Sequence, residues 1–156
     1  MWSVDFFIST IIIVFISMMF ILLWNGLAIR WNVEHEYTQM YTDAIFAADA
    51  LLTTPGYPES WENLENTSTA NAFGLVNSRN EINNMKLEKL NETEYDTVRK
   101  KIGLARYDFE MMITDLSGEE TYYSFGMPSG QNNSVVLERM ALLNNTPVIV
   151  NIEVWK

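Results

Sequence analysis

Asp5-Phe6-Phe7-Ile8-Ser9-Thr10-Ile11-Ile12-Ile13-Val14-Phe15-Ile16-Ser17-Met18-Met19-Phe20-Ile21-Leu22-Leu23-Trp24 decides how the rest of the chain is read. No charged residue occurs from Phe6 to Ile29, and thirteen of the residues in Phe6–Trp24 are Ile, Leu, Phe or Val. At roughly −0.3 to −0.6 kcal/mol each near a helix centre, these side chains favour membrane insertion by several kcal/mol. About 20 apolar residues in a helix cross the hydrocarbon core, so the run is long enough to span. Asp5 makes it more than a greasy anchor. An acid in a transmembrane segment costs roughly 2.5–3.5 kcal/mol at mid-bilayer and marks a function by default. The only cation near it is the amino group of residue 1. A cleaved signal peptide would need a basic start, a shorter apolar run and small residues at its end. The run has no Lys or Arg before Arg30 and ends Trp24-Asn25-Gly26-Leu27.

Outward from this stretch, the helix is expected to continue. Val33, Tyr37, Met40, Tyr41, Ala44, Ala48 and Leu51 recur at three- and four-residue steps, with Glu34, Glu36, Thr42, Asp43 and Asp49 off the stripe. This is the pattern of an amphipathic helix, which Thr53-Thr54-Pro55-Gly56 terminates. The expected helix runs from about Ser3 to Leu52, roughly 75 Å at 1.5 Å per residue. Three regions follow: an apolar helix over 1–30, its amphipathic continuation over 31–54, and a globular domain over 55–156. Within the domain, 55–72 reads as a loop. Trp61 in it is taken as a plug packed on the domain, with ligand stacking as the alternative. A short strand is expected at 73–76, and short helices over 81–90 and 92–102, the second ended by Gly103. From Arg106 the period changes to two, and four strands with short turns predict an antiparallel meander. Its apolar face needs a cover, which the amphipathic half of the helix supplies. The fold class is α+β: a long N-terminal helix packed on a C-terminal antiparallel sheet.

The charge of the 156-residue chain is −10, with 20 acidic and 10 basic residues. Asp5 and Arg30 cancel within the first 30 residues, so all of that charge belongs to the remainder. A surface this acidic repels phosphate backbones, so nucleic acid is not expected as a partner. The absence of cysteine excludes disulfides, thiolate metal sites and cysteine nucleophiles. His35 is the only histidine, and Glu34 and Glu36 beside it point elsewhere on a helix, so it reads as solvated. Asp115, Glu119 and Glu120 flank a Gly turn, but the spacing matches no EF-hand loop and reads as an acidic hairpin. There is no phosphate-binding Gly-rich loop, nucleophile elbow or His-based dyad. The expectation is therefore a non-enzyme without catalytic, cofactor or metal residues. Four N-x-Ser/Thr sequons stand at Asn66, Asn91, Asn132 and Asn144, all on expected loops or helix starts. They fit a surface-displayed glycoprotein.

Taken together, an apolar start with an acid at the fifth position, a continuous long helix and a small C-terminal sheet resemble the type IV pilins. The archaeal branch is the more similar. Its mature subunits commonly start Gln-x-Ser-Leu-Glu-Phe directly after a short basic leader. Met1-Trp2-Ser3-Val4-Asp5-Phe6 places Ser3, the acid and Phe6 in that register, with Met1 for Gln and Asp5 for Glu. The resemblance covers roughly the first 55 residues and is only architectural beyond them. It implies a leader removed ahead of Met1 by a prepilin peptidase, and assembly by a pilus ATPase and platform. It also implies a single-pass membrane stage followed by a cell-surface homopolymer of structural subunits, with adhesion as one expected role. Met1, Asp5 and Phe6 become the assembly residues, with Asp5 pairing an N-terminal amine. Trp2, Phe6, Phe7, Phe15 and Phe20 become filament-core packing. The alternative is a membrane-tethered extracytoplasmic binding domain, or a minor pilin at a filament tip.

Overall fold

The computed structural model describes residues 4–78, 80–128, 130 and 133–156. A single α-helix, α1, runs from Val4 to Thr53. Its N-terminal stretch, 4–39, and the unit formed by 40–156 are separate compact bodies.

Within the first body, Val4–Leu27 is long and apolar enough to cross a membrane. The hydroxyls in this run are turned back onto their own helix. Thr10 Oγ1 donates to the Phe6 carbonyl at 2.9 Å and Ser17 Oγ to the Ile13 carbonyl at 2.8 Å. Such bonds hide polar groups from an apolar surrounding. The helix passes through Asn25-Gly26 unbroken. Gly in a helix interior costs about 1 kcal/mol against Ala, and apart from its chain neighbours and the helix's own backbone, no described atom lies within 4 Å of where a Gly26 Cβ would stand.

In the second body, the last turns of α1 enter the core. Met40, Ala44, Ala47, Ala48, Leu51 and Leu52 are buried, while Phe46 on the opposite side is exposed. Three alanines at zero exposure let the helix backbone approach its cover closely. Tyr37 and Tyr41, expected on the buried stripe, are instead exposed, and the side chain of Val33 lies outside the described part. Thr54 and Pro55 leave the helix, and the short strands β1 (Gly56–Tyr57) and β2 (Ala72–Phe73) pair antiparallel. Trp61, in a turn of 3-10 helix, is the plug that the sequence suggests. It is fully buried, its Nε1 donates to the Gly74 carbonyl at 2.9 Å, and its ring meets Phe73 edge-on at 4.8 Å.

The main sheet has six strands in the order β3-β4-β7-β8-β5-β6. These are β3 (Val76–Ser78), β4 (Glu81–Ile82), β5 (Asp108–Thr114), β6 (Thr121–Gly126), β7 (Ser134–Leu143) and β8 (Thr146–Trp155). β4 and β7 are parallel; the other pairs are antiparallel. The helices α2 (Asn84–Asn91) and α3 (Tyr95–Lys101) precede β5. The strand expected over 73–76 is split between β2 and β3, and α2 begins at Asn84 because Glu81–Ile82 is taken into the sheet.

The four long strands do not form a meander. β8 inserts between β7 and β5, and β6 goes to the edge. The reason lies in which strand needs cover. Val148, Val150, Ile152 and Val154 on β8 are all at zero exposure, whereas Phe125 is the only buried side chain on β6. The most apolar strand takes the centre and a polar one the rim.

Candidate assembly helix and surface sequons

Asp5 lies in the first turn of α1 and is exposed. A carboxylate there is favoured by the helix dipole, by about 0.3–1 kcal/mol. Phe6 and Phe7 follow it edge to face at 6.2 Å, and Phe20 stacks on Trp24 one turn later at 6.3 Å. Every described side chain from Val4 to Leu27 is exposed, Phe15 to 67% and Phe20 to 65%. Among the described residues, nothing buries the side chains of this stretch, 4–27. Met1 and Trp2 lie outside the described residues, so the amine expected to face Asp5 does too.

The sequons differ in their surroundings. Asn66 is exposed and caps the 3-10 turn Thr67–Thr69. Its Oδ1 accepts from Ser68 N at 3.0 Å and Ser68 Oγ at 2.6 Å, which leaves Nδ2 without a bond among the described residues. Asn144, also exposed, sits in the β7–β8 turn at φ 52° beside Asn145 at φ 62°. This is the left-handed conformation that Asn tolerates in tight hairpins. Its Oδ1 accepts from Asn84 Nδ2 at 2.8 Å, and Thr146 is exposed. Asn91 is exposed at the end of α2, but Thr93 is buried and its hydroxyl donates to the Lys89 carbonyl at 2.8 Å. Asn132 lies outside the described residues.

His35 is exposed, and no cluster of metal-binding side chains occurs among the described residues. The Asp115 carboxylate is filled by its own turn. It accepts from the Glu120 amide at 3.0 Å and from the hydroxyl and amide of Ser117, and these bonds hold its pKa below the usual carboxylate range.

Sequence reasoning missed the lysines that fasten the 55–71 loop. Lys86 on α2 is 1% exposed. Its Nζ donates to the carbonyls of Pro55 at 2.6 Å and Glu59 at 2.8 Å, reaches that of Val76 at 3.4 Å, and lies 3.9 Å from Glu62 Oε2. Burial pushes its pKa down, while Glu62 and Glu59 pull it up. Lys101 donates to the carbonyls of Ser68 and Ala70. The available signal was spacing: Lys86 stands four residues before Leu90 and beside Leu87, on the apolar side of α2.

A second clamp joins α3 to β5. Tyr95 stacks on Phe109 at 5.5 Å, its hydroxyl donates to Asp108 Oδ1 at 3.1 Å, and it accepts from Phe109 N at 2.9 Å. Arg99 reaches the same Asp108 at 3.1 Å and Asp96 at 2.9 Å. Burial raises the Tyr95 phenol to about 12.

No family model, no curated protein and no solved structure matches this chain.

Proposed function

We propose that this chain is a structural subunit of an archaeal type IV pilus-like filament, polymerising through its N-terminal helix. The observation that carries the reading is the uncovered run Val4–Leu27, with an acid in its first turn and a folded domain joined to the same helix's far end. That run requires an apolar surrounding, either lipid or other copies of itself. Lipid alone would serve an anchor, but an anchor does not need Asp5. Pairing Asp5 with the residue-1 amine of an adjoining subunit neutralises both groups as helices move from lipid into a bundle. Removing one partner of a buried pair costs about 3–5 kcal/mol, enough to fix subunit register. The acidic, sequon-bearing domains then face outward at the cell surface. A prepilin peptidase and an assembly ATPase with its platform belong to this reading as partners.

The test is to shear the cell surface, collect polymer and sequence the N-terminus of this protein in it. Recovery of the protein, starting at residue 1, is the expected outcome. Asp5→Ala should leave membrane insertion intact and remove the polymer. Persistent filaments with Asp5→Ala would defeat the register role, and retention of the native chain wholly in the membrane fraction would favour a tethered domain.

A further inference from the structure

The six-stranded sheet ends on β6 at one side and on the three-residue β3 at the other. Among the described residues the first part of β7 is open as well, because β4 pairs only with Leu142 and Leu143. The amide of Leu142 donates to the Asn80 carbonyl at 2.7 Å, so the even-numbered backbone groups of β7 aim toward that side. Val136, Glu138 and Met140 therefore direct their N–H and C=O groups past the end of β4. On the opposite rim, the Met127 amide donates to the Phe109 carbonyl at 3.1 Å. The backbone groups of Tyr123 and Phe125 thus face β5, and those of Ser124 and Gly126 face outward. The side chains at these positions are exposed: Val136 is 55% and Met140 67% accessible, and Ser124 is open.

Monomeric sheet proteins guard such rims with lysine, proline or a covering segment. Thr121–Gly126 contains no charge and no proline. The open part of β7 carries two charges, Glu138 and Arg139, and Arg139 Nη1 bonds the Glu138 carbonyl at 3.2 Å; that oxygen has a second lone pair for an incoming amide.

We infer that the β6 edge of one copy adds to the open β7 edge of the next, continuing the sheet from domain to domain. The occupant is a second copy because this sheet carries both halves of the joint. An antiparallel β7–β7 joint centred on Glu138 would set that acid against itself, which destabilises a cross-strand pair. The uncharged β6 edge brings no such conflict. A joint between two different edges is heterologous and leaves one of each free, so it propagates rather than closing as a dimer. The inference rests on the filament reading for its setting, but its test is separable.

The chain has no cysteine, so introduced thiols report alone. Ser124→Cys is combined in the full-length chain with Val136→Cys, Glu138→Cys or Met140→Cys, three variants that allow for register. Within one chain the two edges are three strand spacings apart, about 14 Å. A disulfide needs Cα atoms within about 7 Å, so any bridge joins two chains. After mild oxidation of sheared polymer and membrane fractions, non-reducing gels should show a ladder for at least one double variant and monomer for Ser124→Cys alone. Co-expressing the two single variants as separate chains should stop the ladder at a dimer. Dimers from Ser124→Cys alone would overturn the inference in favour of β6–β6 closure. Polymer in which every double variant runs as monomer would overturn the edge joint and leave the filament reading standing. A ladder confined to the membrane, with no polymer, would do the reverse. Neither polymer nor ladder would remove both.

Discussion

At the scale of single residues, two charged groups meet opposite surroundings. Asp5 is exposed, whereas Lys86 is buried and has its partners within the chain. If Asp5 acts by charge, Asp5→Glu should retain polymer, since the longer acid is the one common among the proteins it resembles. Asp5→Asn, nearly the same shape but uncharged, should lose it; the yield of sheared polymer measures both. For Lys86, methionine keeps much of the stem and removes the ammonium, leaving carbonyls of Pro55 and Glu59 without their donor. Lys86→Met should lower stability by about 1–3 kcal/mol, read by denaturant titration of the detergent-solubilised chain. Asp5 was conspicuous in the sequence because nothing else in its stretch is charged. Lys86 was not, since a lysine on a short helix ordinarily reads as solvated. Only the folded geometry discloses it, by placing two carbonyls of the 55–62 loop and that of Val76 on β3 around one point.

At the scale of elements, α1 was legible almost to the residue. An uncharged run followed by a three-and-four stripe and a Pro-Gly stop leaves little choice. The length and number of the late strands were legible too, through their two-residue period. Their order was not, because alternation shows which side chains are buried and says nothing about which strand is a neighbour. Burial on α1 makes a sharp prediction. Ala47 is at zero exposure, so Ala47→Leu inserts methylenes where there is no room and should cost about 1–3 kcal/mol, seen as a lowered unfolding midpoint. Phe46→Ala, on the exposed side, should change that midpoint little. The α3–β5 clamp predicts alkaline behaviour. Tyr95 ionises near 10 when unfolded and at about 12 when folded. Between those values the unfolded chain has lost more protons, so stability is intact below pH 10 and falls as pH rises toward 12. Tyr95→Phe should flatten this loss in stability-versus-pH curves, while weakening the domain at neutral pH through its lost bonds to Asp108 and Phe109.

At the scale of the whole molecule, residues 40–156, which carry the sequons, hold −8 of the chain's charge of −10. The sequence marks four candidate acceptors but does not distinguish them, because the motif is silent about what the hydroxyl residue is doing. In the folded domain, Thr93 is buried and its hydroxyl is spent on the Lys89 carbonyl, whereas Ser68 and Thr146 are exposed. If glycans are added after the domain folds, Asn66→Gln and Asn144→Gln should each remove one glycan's mass from the purified protein, and Asn91→Gln should remove none. Intact-protein mass spectrometry checks all three.

The seclusion of Lys86 also makes it a clock. An amine-acylating reagent in water cannot reach a nitrogen surrounded by three carbonyls, so modification must wait for the domain to open. With a reagent that reacts faster than the loop recloses, the labelling rate at Lys86 reads the opening rate. With a slower one, it reads the equilibrium population of the open form. Exposed Lys100 on the same domain supplies the unprotected rate in the same sample. The ratio of the two would show how often a subunit loosens its loop, and whether that interval lengthens when the subunit has neighbours.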